Sequence, residues 1–521
     1  MHPTDEQAAA ADAFRADAFR ADGHLALQAG AGTGKTSTLV LLANATRRRG
    51  RYIAFNKAIA QHAATRFPPT VTCKTAHSLA FAAIGHRYTR RLNGPRQTGW
   101  KTGMALGITK AVRIGERDVT PKALSHAVLR TITRYCHSAD RTLAGRHIPP
   151  LRGLENPLLH DQLIQVVLPY AHKAWADLQH PEDGVVRFEH DHYLKIWALS
   201  EPRIDADFLL LDEAQDTNPV LEQVFTAQRP HAQLVMVGDS AQAIYGWRGA
   251  RDIMTDFDGH ALSLSRSFRF GPALATEANR WLTIADAPIR LTGTETISTD
   301  LAPVEHPEAV LCRTNIGAMN QVMAHLGMGY RVALAGGENT LRALATAARD
   351  LKEGRRTWHP ELTLFPTWGE LQDYAEHDPA GADLKPFVDL IDQHGPDAVL
   401  AAVDQLTAEE AASIIISTAH RAKGREWATV KIADDFTPPK DTEQHDCGGR
   451  PLPGPIDDAE ARLAYVAVTR ARSRLDLGGL SWIHDHPQGG IPNPPADSTM
   501  TRHRDRLPDA TWTRTMPRWN R

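Results

Sequence analysis

A glycine-rich run, Ala29-Gly30-Ala31-Gly32-Thr33-Gly34-Lys35-Thr36, lies between a short apolar segment, Leu25–Leu27, and a helical segment, Ser37–Ala45. Glycines at this spacing let backbone N–H groups turn inward, the lysine reaches the β- and γ-phosphates, and the threonine hydroxyl ligates Mg²⁺. The first position is Ala29, where the strict pattern has glycine. The run predicts a phosphate-binding loop (P-loop) for ATP and Mg²⁺, with contacts from Gly30, Gly32, Thr33, Gly34, Lys35, Thr36 and Ser37.

An acidic pair at the end of another apolar segment supplies the second part of this chemistry. Asp212 and Glu213 directly follow Leu209–Leu211. A carboxylate in this position binds the Mg²⁺ of a P-loop enzyme, and a second one beside the attacking water acts as general base. We therefore predict Asp212 and Thr36 as the Mg²⁺ ligands and Glu213 as the base. Because Asp212 lies 177 positions after Lys35, an insertion must lie between them.

A third group connects a phosphate sensor to a nucleic-acid contact. Gln242 is placed to report the γ-phosphate, and Trp247 follows five residues later, between Tyr245 and Arg248. An aromatic side chain that stacks on a base contributes about 1–3 kcal/mol and tolerates any sequence. A motor requires a segment that contacts both the nucleotide and a nucleic-acid strand, and this segment contains an amide, an aromatic side chain and a cation with the chemistry for those two contacts.

Short apolar segments that alternate with helical stretches must position these groups. They form two sets about 70 residues apart, which predicts an α/β fold with two parallel-sheet lobes. The first set comprises Leu25–Ala29, Tyr52–Phe55, Val71–Cys73, Phe208–Leu211 and Leu234–Val237; the second comprises Val310–Cys312, Val332–Leu334, Ile414–Ile416, Val430–Ala433 and Leu475–Leu477.

Two helical stretches interrupt the alternation and are predicted to be insertions into the lobes. The first lobe is expected at 1–84 and 196–260 with its insertion at 85–195; the second is expected at 261–340 and 411–487 with a short insertion at 341–410. Gly, Pro and Arg accumulate near the end of the sequence, so residues 488–521 are expected to form a poorly ordered tail.

Composition limits the ways in which the chain can bind a polyanion. Its 521 residues include 59 Lys and Arg against 61 Asp and Glu, which excludes a globally basic, histone-like protein and leaves local patches. The four cysteines contain no Cys-x-x-Cys pair, which argues against a disulfide framework and a zinc ribbon and fits a reducing, cytoplasmic setting. No window approaches 18 uninterrupted apolar residues, so no membrane span is expected.

The three groups, in this order, resemble superfamily 1 DNA helicases of the UvrD/Rep/PcrA group. Further segments that match the group are Thr4–Gln7, Phe55–Lys57, Thr75–Ser78, Ser267–Arg269, Arg313–Asn315, Thr418–Trp427 and Ala464–Ala471. Within the group the chain most resembles the F-box DNA helicase branch, through Tyr52–Lys57, Cys73–Ser78 and His192–Trp197. The P-loop lies only about 30 residues into the chain, so we expect no F-box and no ubiquitin-ligase adaptor role.

The resemblance implies two RecA-like lobes of the P-loop NTPase class with helical insertions. It also implies that Gln7 contacts adenine, that Glu426 accepts from the ribose, and that Arg269 and Arg470 enter the ATP site from the second lobe. Such arginines stabilise transition-state charge. The implied DNA contacts are Phe55, Asn56, Lys57, Thr75, His77, Tyr245, Trp247, Arg248 and His420.

From these observations we predict an ATP- and Mg²⁺-dependent DNA helicase or translocase. It would move on single-stranded DNA, with 3′-to-5′ polarity implied by the resemblance, and unwind tailed duplexes or remodel nucleoprotein in replication, repair or recombination. One alternative is a single-strand-dependent ATPase that strips proteins from DNA without unwinding. Another is a P-loop switch protein without a DNA track. We expect a monomer or weak oligomer, no membrane partner, and a recombinase or replication partner that the sequence does not identify.

Overall fold

The computed structural model describes residues 3–16, 23–54, 56–94, 99–151, 153–244, 252–254, 257–336, 338–359, 362, 365–377, 384–445 and 448–490. The strands are β1 (Leu25–Ala29), β2 (Gly50–Ala54), β3 (Val71–Thr75), β4 (Val112–Ile114), β5 (Arg117–Val119), β6 (Phe208–Leu211), β7 (Gln233–Gly238), β8 (His260–Leu264), β9 (Asp300–Leu301), β10 (Ala309–Cys312), β11 (Val332–Leu334), β12 (Ile414–Thr418), β13 (Trp427–Ile432) and β14 (Ala471–Asp476).

Helices cover the sheets and form the segments between them. They are α1 (Asp5–Ala16), α2 (Lys35–Asn44), α3 (Lys57–Ala64), α4 (Ala76–Ala83), α5 (Thr89–Leu92), α6 (Gly99–Leu106), α7 (Pro121–Cys136), α8 (Pro157–Leu178), α9 (His190–Leu199), α10 (Pro219–Thr226), α11 (Pro272–Ile284), α12 (Asn315–Gly327), α13 (Glu338–Lys352), α14 (Trp368–His377), α15 (Lys385–His394), α16 (Pro396–Asp404), α17 (Ala419–Ala422) and α18 (Asp458–Val468).

The first sheet has the order β3-β2-β6-β7-β1-β8, and every pairing in it is parallel. Its central strands β6 and β7 are buried along their whole length, as expected for a parallel sheet covered on both faces. One face packs against α1, α2 and α3, with Phe14, Leu39 and Leu210 in the core. The other face shares a core with the long helices α7 and α8 of the segment between β3 and β6.

The second sheet repeats this plan with the order β11-β12-β10-β13-β14-β9, again parallel throughout. Helices α11 and α18 cover one face, where Trp281 and Tyr465 are buried. Helices α12, α13, α15 and α16 cover the other. The two lobes confirm the predicted α/β fold class.

The sequence prediction missed four strands. Edge strands β8 and β9 escaped because β8 reads His-Ala-Leu-Ser-Leu and β9 has only two residues, so neither is a continuous apolar run. The antiparallel pair β4–β5 lies between α6 and α7, in a stretch that was predicted to be helical. Among the described residues, no helix is long and apolar enough to cross a membrane.

The topology also determines where chemistry can occur. Strands β6, β7 and β1 are neighbours in the first sheet, and all three run in the same direction. The loops that follow them therefore meet at one edge, outside the carboxyl ends of the strands, where α/β proteins bind ligands. Asp212–Glu213 and Asp239–Gln242 lie in these loops, and Lys35 begins the helix that follows the loop after β1.

Candidate nucleotide-binding site

The P-loop turns between β1 and α2 through two glycines with left-handed backbone. Gly32 has φ 75° and Gly34 has φ 80°, a region in which residues with a Cβ are strained. A Cβ on Gly32 would also lie 2.7 Å from the Cβ of Arg269, a residue of the second-lobe part of the chain. The loop borders a cavity of about 300 Å³ whose lining includes Lys35, Gln242 and Arg470.

Asp212 lies beside the first residues of α2. Its Oδ2 accepts a hydrogen bond from the Thr36 hydroxyl at 3.0 Å and from the Tyr52 hydroxyl at 2.6 Å. Burial, and next the charge of Glu213, raise the pKa of Asp212, so a cation here would favour the ionised carboxylate. A carboxylate and a hydroxyl oxygen so close together suit Mg²⁺, which prefers hard oxygen ligands.

Glu213 faces the same cavity from a strained backbone. Its φ of 53° is left-handed, which is uncommon for a residue with a side chain and is often found at functional sites. Its Oε1 lies 3.8 Å from Lys35 Nζ, and its Oε2 accepts from Gln215 Nε2 at 2.7 Å. Burial would raise the pKa of Glu213, but Lys35 and then Lys423 lower it below its usual value. The carboxylate is therefore ionised, as a general base must be.

Gln242 is held by groups from both lobes. Its Nε2 donates to Asp239 Oδ2 at 2.6 Å, and its backbone carbonyl accepts from the Lys423 ammonium. Lys423 also pairs with the buried Asp216 at 2.7 Å. Burial raises the pKa of Asp216 to about 6, although Lys423 opposes the shift. The predicted sensor thus sits at a contact between the lobes.

The second-lobe part of the chain contributes two arginines, Arg269 and Arg470, to the lining of the cavity. Arg470 is only 1% exposed and donates to Val466 O and to the Thr469 hydroxyl, both at 2.8 Å. Within the described part of the chain it forms no ion pair, and burial followed by the charge of Arg269 lowers its pKa to about 9. A buried cation without a carboxylate partner is suited to receive an anion such as phosphate.

Three other predicted nucleotide contacts lie around the loop. Gln7 is buried, and its Nε2 donates to Thr38 Oγ1 of α2 at 3.0 Å. Glu426 accepts from Arg269 Nε at 2.7 Å and lies outside the residues that line the cavity. The Ser37 hydroxyl accepts a hydrogen bond from the Arg66 guanidinium at 2.8 Å. Arg66 also lines the cavity, and the sequence analysis did not predict it as a site residue.

The DNA contacts that are predicted in the first lobe lie at the carboxyl ends of β2 and β3, at the same edge of the sheet. Asn56 and Thr75 accept backbone N–H groups at the starts of α3 and α4, so both side chains act as helix caps. Lys57 is exposed. His77 is half-exposed, with Nε2 3.0 Å from Asp191 Oδ1.

The remaining predicted contacts are not all near the P-loop. His420, on α17, lines a separate cavity of about 1090 Å³ in the second lobe, together with Arg313, Asn315 and Arg421. Phe55, Tyr245, Trp247 and Arg248 lie outside the described residues.

Two family models match the chain. A model described as an AAA domain matches residues 15–248, which include the P-loop, the acidic pair and Gln242. A model described as a UvrD-like helicase C-terminal domain matches residues 340–480, which include Lys423 and Arg470. The two matches together include the residues that line the cavity, except Arg269, which lies between the matched ranges.

Curated proteins that are named F-box DNA helicases are similar to most of the chain. F-box DNA helicase protein 1 of Schizosaccharomyces pombe is 30% identical over 502 residues, which make up 87% of this chain and 55% of that protein. F-box DNA helicase 1 of Gallus gallus is 30% identical over 489 residues, 86% of this chain and 46% of that protein. The chain therefore spans about half the length of these relatives.

Proposed function

The chain belongs to the UvrD-like helicase family and is related to its F-box DNA helicase branch, and from this we propose that it is an ATP-driven motor that moves on single-stranded DNA. One observation carries the proposal. The P-loop, Glu213 and Gln242 of the first lobe line one cavity together with Arg269 and Arg470 of the second. A nucleotide phosphate in this cavity would contact both lobes, so its binding and loss would move one lobe against the other.

In this proposal the residues of the P-loop bind the phosphates. Lys35 supplies the cation, the loop supplies backbone N–H groups at the start of α2, and Thr36 and Asp212 would hold Mg²⁺. Bound Mg²⁺ neutralises charge on the phosphates during transfer. Tyr52 orients Asp212 through its 2.6 Å hydrogen bond.

Glu213 would accept the proton of the attacking water, because it is an ionised carboxylate at the cavity wall. Arg269 and Arg470 would stabilise the charge that develops on the transferred group. Both arginines come from the second lobe, so hydrolysis would be fast only when the lobes are closed. Coupling of this kind is what converts hydrolysis into stepping.

Local positive charge supports DNA as the track, although the whole chain is nearly neutral. Residues 85–152 contain 14 Lys and Arg against 3 Asp and Glu. On α7, Lys122, Arg130 and Arg134 are separated by multiples of four residues, so they lie along one side of the helix. Such a basic stripe attracts a phosphate backbone.

Trp247 is proposed to stack on a base of the strand, and its removal gives a selective effect. We expect Trp247→Ala to raise the concentration of single-stranded DNA that half-saturates the ATPase by about ten-fold, since one stacked base contributes about 1–3 kcal/mol. ATP hydrolysis without DNA should stay near the wild-type rate. The measurement is steady-state phosphate release against DNA concentration; an equal loss of both activities would contradict the stacking role.

Unwinding and polarity are proposals of their own, and strand displacement tests them. On duplexes with a single-stranded tail at one end, we expect displacement with a 3′ tail and little with a 5′ tail. Displacement only with the 5′ tail would reverse the polarity. DNA-stimulated hydrolysis without displacement of either duplex would favour an ATPase that strips proteins from DNA.

A further inference from the structure

The buried hydroxyl of Tyr465 connects the P-loop of the first lobe to the predicted phosphate sensor. Tyr465 lies in α18 of the second lobe and is 0% exposed. Its hydroxyl accepts from the backbone N–H of Ala31 at 3.0 Å and donates to Asp239 Oδ2 at 2.8 Å. One atom of the second lobe therefore holds two separate loops of the first.

Asp239 carries this contact to Gln242. The oxygen that accepts from Tyr465 also accepts from Gln242 Nε2 at 2.6 Å, while the other carboxylate oxygen accepts from Ala241 N at 3.2 Å. Asp239 is completely buried, so removing a donor leaves a buried carboxylate short of a partner. The position of the Gln242 amide thus depends on Tyr465.

A neighbouring residue of the same helix strengthens the connection. Arg462, three residues before Tyr465 and on the same side of α18, donates to the backbone carbonyl of Ser240. Phenylalanine would keep the ring of Tyr465 in the core shared by α11 and α18 and would remove only the hydroxyl. The hydroxyl is the part that reaches across to the other lobe.

We infer that Tyr465 is a positioning residue that ties lobe closure to the placement of Gln242. This inference rests on the proposed function and deepens it. When the lobes separate, the hydroxyl leaves both Ala31 N–H and Asp239, so the carboxylate that holds the Gln242 amide loses one donor and the P-loop regains a free N–H. When they close, a single hydroxyl restores both contacts together, and hydrolysis follows closure.

The variant Tyr465→Phe removes only the hydroxyl, and Tyr135→Phe is its matched control. Tyr135 is buried like Tyr465, but its hydroxyl donates to Arg141 O in the first insertion. We expect Tyr465→Phe to lower the DNA-stimulated kcat about ten-fold and to change the KM for ATP less than about three-fold. Tyr135→Phe should leave both near wild type. An unchanged kcat in Tyr465→Phe, or a loss that merely follows a lower Tm in both variants, would overturn the inference.

A second readout needs neither ATP nor DNA. Hydrogen–deuterium exchange of the free proteins reports directly on the Ala31 amide and on the 239–242 segment. We expect faster exchange in the peptides that contain them for Tyr465→Phe and not for Tyr135→Phe; equal exchange in all three proteins would overturn the inference. If wild-type ATP hydrolysis were insensitive to DNA, the proposed function would be wrong. The exchange result would still show whether the Tyr465 hydroxyl holds the P-loop and the 239–242 segment.

Discussion

Replacing Glu213 with glutamine is expected to lower the kcat of ATP hydrolysis by about 100-fold or more while ATP still binds. Positioned general bases contribute about 10²–10⁴-fold, and an amide cannot take the proton. Glutamine keeps the size of the side chain, and its carbonyl oxygen can still accept from Gln215. Phosphate release in single-turnover reactions, together with the affinity for a fluorescent ATP analogue, measures the two effects separately.

A matched control for Glu213→Gln is Glu116→Gln. Glu116 is an exposed glutamate in the turn between β4 and β5, so the same substitution there should leave hydrolysis unchanged. The base assignment would be wrong if Glu213→Gln retained more than about a tenth of wild-type kcat. It would also be wrong if ATP affinity fell in parallel with kcat, because that pattern indicates a binding role.

Replacing Arg470 with alanine is expected to lower the kcat of ATP hydrolysis as much as Glu213→Gln does, or more. Arginines that contact the transferred phosphoryl group contribute about 10³–10⁵-fold to kcat. Arg470 is buried, lines the phosphate cavity and lies in the lobe that does not carry the P-loop. A large loss of kcat with ATP binding largely retained would therefore show that the active site needs both lobes. The assays are those used for Glu213.

Alanine at a buried position also leaves a void, so a second variant is needed. Arg470→Lys keeps a positive charge but loses the planar fork of donors, and we expect it to remain at least ten-fold impaired with a Tm near wild type. Arg474→Ala is the control, since Arg474 lies in the following strand with an exposed side chain that pairs with Asp300. Wild-type kcat in Arg470→Lys together with a low Tm in Arg470→Ala would indicate a structural role only.

The sequence was sufficient for the fold class because the central strands are continuous apolar runs. Phe208–Leu211 is buried at every position, so its pattern could be read without knowledge of its neighbours. The edge strands β8 and β9 lack that property and were missed for this reason. The predicted boundaries of the lobes and insertions stay predictions, as does the tail at 488–521, most of which lies outside the described residues.

The P-loop could also be predicted from the sequence, because it is a contiguous pattern with a fixed backbone geometry. Contacts between distant segments could not be predicted. Tyr52 meets Asp212 across 160 positions, and Tyr465 meets Ala31 across 434, so only the paired sheets and closed lobes bring them together. Asn56 and Thr75, which the sequence predicts as DNA contacts, cap the helices α3 and α4 in the structure. That structural role could not be separated from DNA binding in the sequence. Their DNA contacts stay predictions.

The central claim is that one motor couples ATP hydrolysis to a DNA strand, and the ATPase rate with and without single-stranded DNA tests it most directly. We predict that saturating single-stranded DNA of mixed sequence raises kcat by at least ten-fold in the presence of Mg²⁺, and that Trp247→Ala shifts the half-saturating DNA concentration upward. The same rate with and without DNA, at low salt where phosphate contacts are strongest, would contradict the account.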